Sequence, residues 1–63
     1  MCLSNVYRNE LKEENLLARN IADISIEGGK IILTDLMGIR KEISAVIQKI
    51  DLLENYVLIE EKQ

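Results

Sequence analysis

The sequence predicts an all-β fold, a small and strongly bent sheet or partial SH3-like barrel with at most one short helical turn. Three observations lead there. Two runs rich in β-branched residues flank Gly28-Gly29. Further short apolar runs follow at close spacing, with no proline anywhere to break them. The chain has 63 residues, enough for one domain and no second.

The elements follow in order. Leu3 to Arg8 alternates, with Leu3, Asn5 and Tyr7 set against Ser4, Val6 and Arg8, and reads as a first strand. Leu11 to Ile21 carries Glu13 and Glu14 early and Arg19 late, a charge order that suits a helix macrodipole. Strand and helix both remain open over residues 11–17. In the centre, Ile24 and Ile26 alternate with Ser25 and Glu27. Gly28-Gly29 and then Lys30-Ile31-Ile32-Leu33-Thr34 complete a hairpin, because glycine reaches the positive φ of a tight turn. The same glycines could open a phosphate loop, but no GxGxxG or Walker pattern continues from them. Leu36-Met37-Gly38-Ile39 reads as a loop with apolar side chains. Val46, Ile50, Leu53 and Val57 recur at helical spacing, yet the β-branched content of the same stretch favours a strand turning at Leu53-Glu54-Asn55. Strand and helix therefore stay open over residues 44–53. Val57-Leu58-Ile59 suits a buried strand ended by Glu60-Glu61.

Composition bounds the function. Hydrophobic residues form 48% of the chain, with no Phe or Trp and only Tyr7 and Tyr56 as rings, so aliphatic side chains must fill the core. A chain this short buries roughly 60% of its unfolded surface, and its core alone supplies about 3–5 kcal/mol. A metal ion, a second copy, or both are the natural supplements. A disulfide within the chain is excluded, because Cys2 is its single cysteine. An exposed aliphatic patch or an open strand edge is expected, and a two-fold dimer is the commonest cover for either. No stretch reaches the length of a membrane span, and the start lacks the basic and apolar regions of a signal peptide, so a cytoplasmic location is expected. The net charge of −3 gives no electrostatic reason to approach phosphates or anionic lipid.

The chain has no histidine, so the usual general base and nucleophile–base pairs are missing. Acid pairs such as Glu13-Glu14 and Glu60-Glu61 read as solvated surface, and no enzyme is expected. One position stands out for metal. Cys2 adjoins the chain start, where its thiolate, its backbone nitrogen and the amine of Met1 can form five-membered chelate rings. Removal of Met1 would leave Cys2 as a bidentate amine–thiolate pair. Such donors suit Ni(II) or Cu(II) in a planar site. Two chains about a two-fold axis would bring two thiolates and two nitrogens to one ion. The plain alternative is that Cys2 packs as a small hydrophobe.

Met1-Cys2-Leu3 at the start, Ile24-Ser25-Ile26-Glu27-Gly28-Gly29 in the centre and Val57-Leu58-Ile59-Glu60-Glu61 at the end agree in order and spacing with a known family. Over nearly its whole length the chain resembles the CooT family, small accessory proteins of nickel insertion into carbon monoxide dehydrogenase. The resemblance implies a single CooT-like domain over residues 1–63, a barrel-like subunit forming a homodimer. It also implies Ni(II) held by Cys2, with Met1 or the amine it leaves in the same site. Partners would be a nickel enzyme or its maturation factors. The start also resembles the HypC-type chaperones of [NiFe]-hydrogenase assembly, small barrels that likewise begin Met-Cys. This chain is shorter and lacks histidine, which ranks them second. Two other readings stand beside nickel handling. One is a metal-free interaction module gripping a partner through Leu36-Met37-Gly38-Ile39 or a strand edge. The other is a small RNA-binding barrel using Arg8, Arg19, Arg40 and Lys41, against which stand the negative charge and the lack of an aromatic run.

Overall fold

The computed structural model describes residues 3–61. Five strands close into a ring: β1 (Ser4–Arg8), β2 (Leu16–Glu27), β3 (Lys30–Asp35), β4 (Arg40–Asp51) and β5 (Tyr56–Glu61), with a single 3₁₀ turn at Glu13–Asn15. Neighbours pair antiparallel except β1 and β5, whose parallel ladder from Asn5–Tyr56 to Arg8–Ile59 closes the ring. The all-β expectation holds, with the short helical turn in place. Each strand has two neighbours, but the halves of β2 and β4 each pair on one side only, so stretches of open strand edge remain beside the exposed aliphatic patch.

Closure with so few strands requires sharp bends, and the two twelve-residue strands supply them. The first part of β2 pairs with β1 and the second with β3, and Ile21 lies opposite both Ser4 and Asp35. Register shifts surround this corner, where Asn20 adopts φ 54°. A bulge bends its strand and adds twist, and asparagine tolerates the left-handed conformation better than most residues. β4 likewise passes from β3 to β5, and Gln48 is the extra residue between the Ile47–Ile59 and Lys49–Leu58 pairs.

The helical spacing of Val46, Ile50, Leu53 and Val57 traces no single buried face: Val46 and Ile50 are exposed in β4, Leu53 stands on the turn, and only Val57 joins the core. Ala45 and Ile47 belong to the core side of β4, and past Gln48 the partner of core residue Val57 is Ile50. One inserted residue turns a period of two into a local step of three, and β4 stays a strand through it. The charge order of residues 11–21 yields only the three-residue turn, after which Leu16 starts β2. A short helix is marginal in water, and pairing with β1 and β3 satisfies far more backbone. The hairpin forms as expected, with Glu27 opposite Lys30 and both glycines at positive φ, 54° and 81°.

Val6, Ile21, Ile31, Leu33, Ala45, Val57 and Ile59 form the core, so every strand contributes. Ile32 is also buried but stands outside that cluster, opposite Ser25 and Glu42. Among the described residues no helix is long and apolar enough to cross a membrane.

Candidate functional site

One end of the barrel gathers the sequence's unexplained apolar residues. In the β3–β4 loop, Asp35 Oδ1 accepts hydrogen bonds from the backbone N–H groups of Met37 and Ile39, both at 2.9 Å. The carboxylate satisfies the turn's donors, so Leu36, Met37 and Ile39 are free to face solvent, Met37 at 82% exposure. The β4–β5 turn repeats the device. Asp51 Oδ1 accepts from the N–H groups of Leu53 at 3.0 Å and Glu54 at 2.8 Å. Leu52 and Leu53 stand 82% and 86% exposed on it.

The start of β1 lies between these two loops. Leu36 N–H donates to the Asn20 carbonyl at 3.0 Å, Ile21 pairs with Ser4, and Asn5 N–H donates to the Asn55 carbonyl at 3.1 Å. The order across this end is therefore β3–β4 loop, β2 corner, β1 start, β4–β5 turn. A cleft of about 220 Å³ opens beside the β2 corner. Its floor is Leu17, Ala18, Ile21 and Leu33, and Ile39, Asp35, Arg19 and Lys41 line it further out. A cavity of about 150 Å³ lined by aliphatic residues takes a molecule the size of benzene, so this cleft has room for one apolar side chain.

Charge divides the molecule in the same way. Among the described residues Arg8 pairs with Glu61 at 2.8 Å, Lys12 with Glu10 at 3.2 Å and Lys30 with Glu42 at 3.1 Å. The Lys49 ammonium lies 5.8 Å from the Tyr56 ring centroid, and hydrogen bonding to Tyr56 holds its pKa above the ordinary lysine value. Tyr56 in turn meets Tyr7 edge-on, with centroids 6.3 Å apart. Arg19, Arg40 and Lys41 have no ion-pair partner among the described residues, and two of them line the cleft.

Of the residues singled out in the sequence, Met1 and Cys2 lie outside the described residues. Among those described, no group of three or more histidine, cysteine, aspartate or glutamate side chains could hold a metal ion. The apolar loop is exposed as expected. Of the four cations named for RNA, Arg40 adjoins Lys41 at the start of β4. Arg19 and Lys41 share the cleft, whereas Arg8 is tied to Glu61 at the other end of β1. The loop-holding roles of Asp35 and Asp51 were missed. The available signal was an aspartate two residues before the donor it satisfies, the pattern of an Asx turn.

Comparison with known proteins places these observations. Residues 1–60 match the family model described as CO dehydrogenase accessory protein CooT. An uncharacterized protein of Methanocaldococcus jannaschii is 38% identical over 60 residues, covering 95% of this chain and 98% of that one. The crystal structure assigned to a CooT of Carboxydothermus hydrogenoformans superposes with a TM-score of 0.85 at 21% identity, covering 98% of this chain and 100% of that one. At that identity the likeness speaks for the fold.

Proposed function

Because the chain belongs to the CooT family of CO dehydrogenase accessory proteins, we propose that it is a non-catalytic carrier of Ni(II), acting as a homodimer. The ion is cargo, bound by the Cys2 thiolate of each copy and by nitrogen at the chain start, for delivery to carbon monoxide dehydrogenase in the cytoplasm. The observation that carries this reading is that the family match includes the first two residues. These hold the chain's single thiol, and the described residues offer no competing donor cluster.

The chemistry supports the same assignment. Thiolate and amine donors in a plane suit Ni(II), and a set of two or three per chain needs a second copy to reach four. Cys2 is joined through Leu3 to the start of β1, which lies between two exposed apolar loops. A second copy covering that end would bring two chain starts together and bury aliphatic surface in one step.

The test is a Ni(II) titration of untagged protein with its native start, followed by ultraviolet–visible absorption, for wild type and Cys2→Ser. A thiolate-to-nickel charge-transfer band saturating at one ion per two chains, absent from the variant, is the expected result. No band in either protein would sink the nickel reading. The second reading, a metal-free interaction module, draws on the exposure of Leu36, Met37 and Ile39. It predicts that purified carbon monoxide dehydrogenase binds equally well with and without nickel and with Cys2→Ser.

A further inference from the structure

We infer that the β4–β5 turn of one copy seats Leu53, flanked by Glu54, in the cleft beside the β2 corner of a second copy, and that the exchange is mutual. The inference rests on the homodimer of the preceding subsection but not on nickel.

Shape and charge match. The turn presents two leucines more than four-fifths exposed, followed by Glu54, which has no ion-pair partner among the described residues. The cleft presents the converse. Its aliphatic floor of Leu17, Ala18, Ile21 and Leu33 has the volume for one such side chain. Arg19 and Lys41, both without an acidic partner among the described residues, line it. Asp35 shares the lining, but its Oδ1 is already engaged by the loop N–H groups. A carboxylate arriving beside a leucine therefore meets two uncommitted cations.

Order across the end supplies the symmetry. Cleft, β1 start and turn follow one another through the Ile21–Ser4 pair and the Asn5–Asn55 hydrogen bond. A two-fold axis at the start of β1 carries the turn of one copy onto the cleft of the other and the reverse, an isologous contact closed at two chains. The same axis places the two β1 starts beside each other. A nucleic acid fits this cleft poorly, because its lining holds no aromatic ring for a base to stack on.

Sedimentation velocity of metal-free protein across the micromolar range tests the contact, with circular dichroism confirming that each variant folds. Leu53 is almost wholly exposed, so Leu53→Asp leaves the subunit intact. The dissociation constant should rise at least about tenfold in Leu53→Asp and in Arg19→Glu/Lys41→Glu, and adding Glu54→Lys to the latter should recover part of the loss. A photo-crosslinker at position 53 should map to the Leu17–Ile21 segment of the second chain. A wild-type dimer unaffected by every variant, or crosslinked elsewhere, overturns this interface and leaves the homodimer standing. A wild type that stays monomeric with and without Ni(II) overturns both. Binding of labelled single-stranded RNA that Arg19→Glu/Lys41→Glu abolishes while the dimer persists would reassign the cleft and overturn the proposal.

Discussion

The two ends of this barrel have opposite characters. At the end formed by the β2–β3 hairpin and the last residues of β1 and β5, Arg8 meets Glu61 and Lys30 meets Glu42. Ile26 is the exposed aliphatic residue of that hairpin. At the other end Leu36, Met37, Ile39, Leu52 and Leu53 are all exposed, beside a cleft lined by Arg19 and Lys41, which have no ion-pair partner among the described residues. At the first end both cations, Arg8 and Lys30, find acidic partners within the chain, although Glu27 and Glu60 have none among the described residues. The second has its backbone satisfied by Asp35 and Asp51, yet leaves its side chains unmatched. Local order is thus provided at an end whose apolar surface is left for something else to cover, which is the signature of a contact surface.

The largest expected effect tests the interior both ends share. Leu33 is fully buried, and Leu33→Ala should cost about 2–5 kcal/mol, comparable to the whole stability of so small a core. Thermal unfolding followed by circular dichroism at fixed concentration should show a variant largely unfolded at 25 °C. Asp35→Ala strikes the unmatched end alone. Losing two hydrogen bonds to a half-buried carboxylate should lower stability by about 1.5 kcal/mol in chemical denaturation. It should also speed amide exchange at Met37 and Ile39 while leaving the far hairpin protected. Should exchange rise at both ends alike, the contrast between them is lost.

At the matched end, Gly28 has φ 54° and open space around the position a Cβ would occupy. Gly28→Ala should therefore cost about 1 kcal/mol for conformation alone, a fall of roughly 4–8 °C in Tm. Gly28→Asn should recover most of it, and equal losses in the two variants would point to a steric cause instead. The smallest effect belongs to the Arg8–Glu61 pair, which is partly exposed on both sides. Arg8→Ala should cost under about 1 kcal/mol and less as salt is added; a salt-independent loss would mean that the arginine stem packs rather than pairs.

Particular residues show how far the sequence could be read. Gly28-Gly29 disclosed the hairpin because a left-handed turn has few alternatives to glycine. The Val57–Ile59 strand and the exposed loop at Leu36–Ile39 were equally legible, the first from an apolar run and the second from its punctuation. Residues 44–53 were ambiguous because the bulge at Gln48 breaks the alternation by which a strand is recognised. The cleft was illegible, since Leu17, Leu33 and Lys41 come from three strands and meet only when the ring closes.

By itself the sequence determined the all-β class, the central hairpin, the aliphatic core and the family, because these follow from turn chemistry, local periodicity and residue order. Only the tertiary structure decided that the ring is closed by a parallel β1–β5 pair and that two distant loops flank the start of β1. It alone decided, too, which cations find partners. The physical reason is range. Turn preferences act within a few residues, whereas strand pairing and charge matching depend on which remote segments are brought together when apolar surface leaves water.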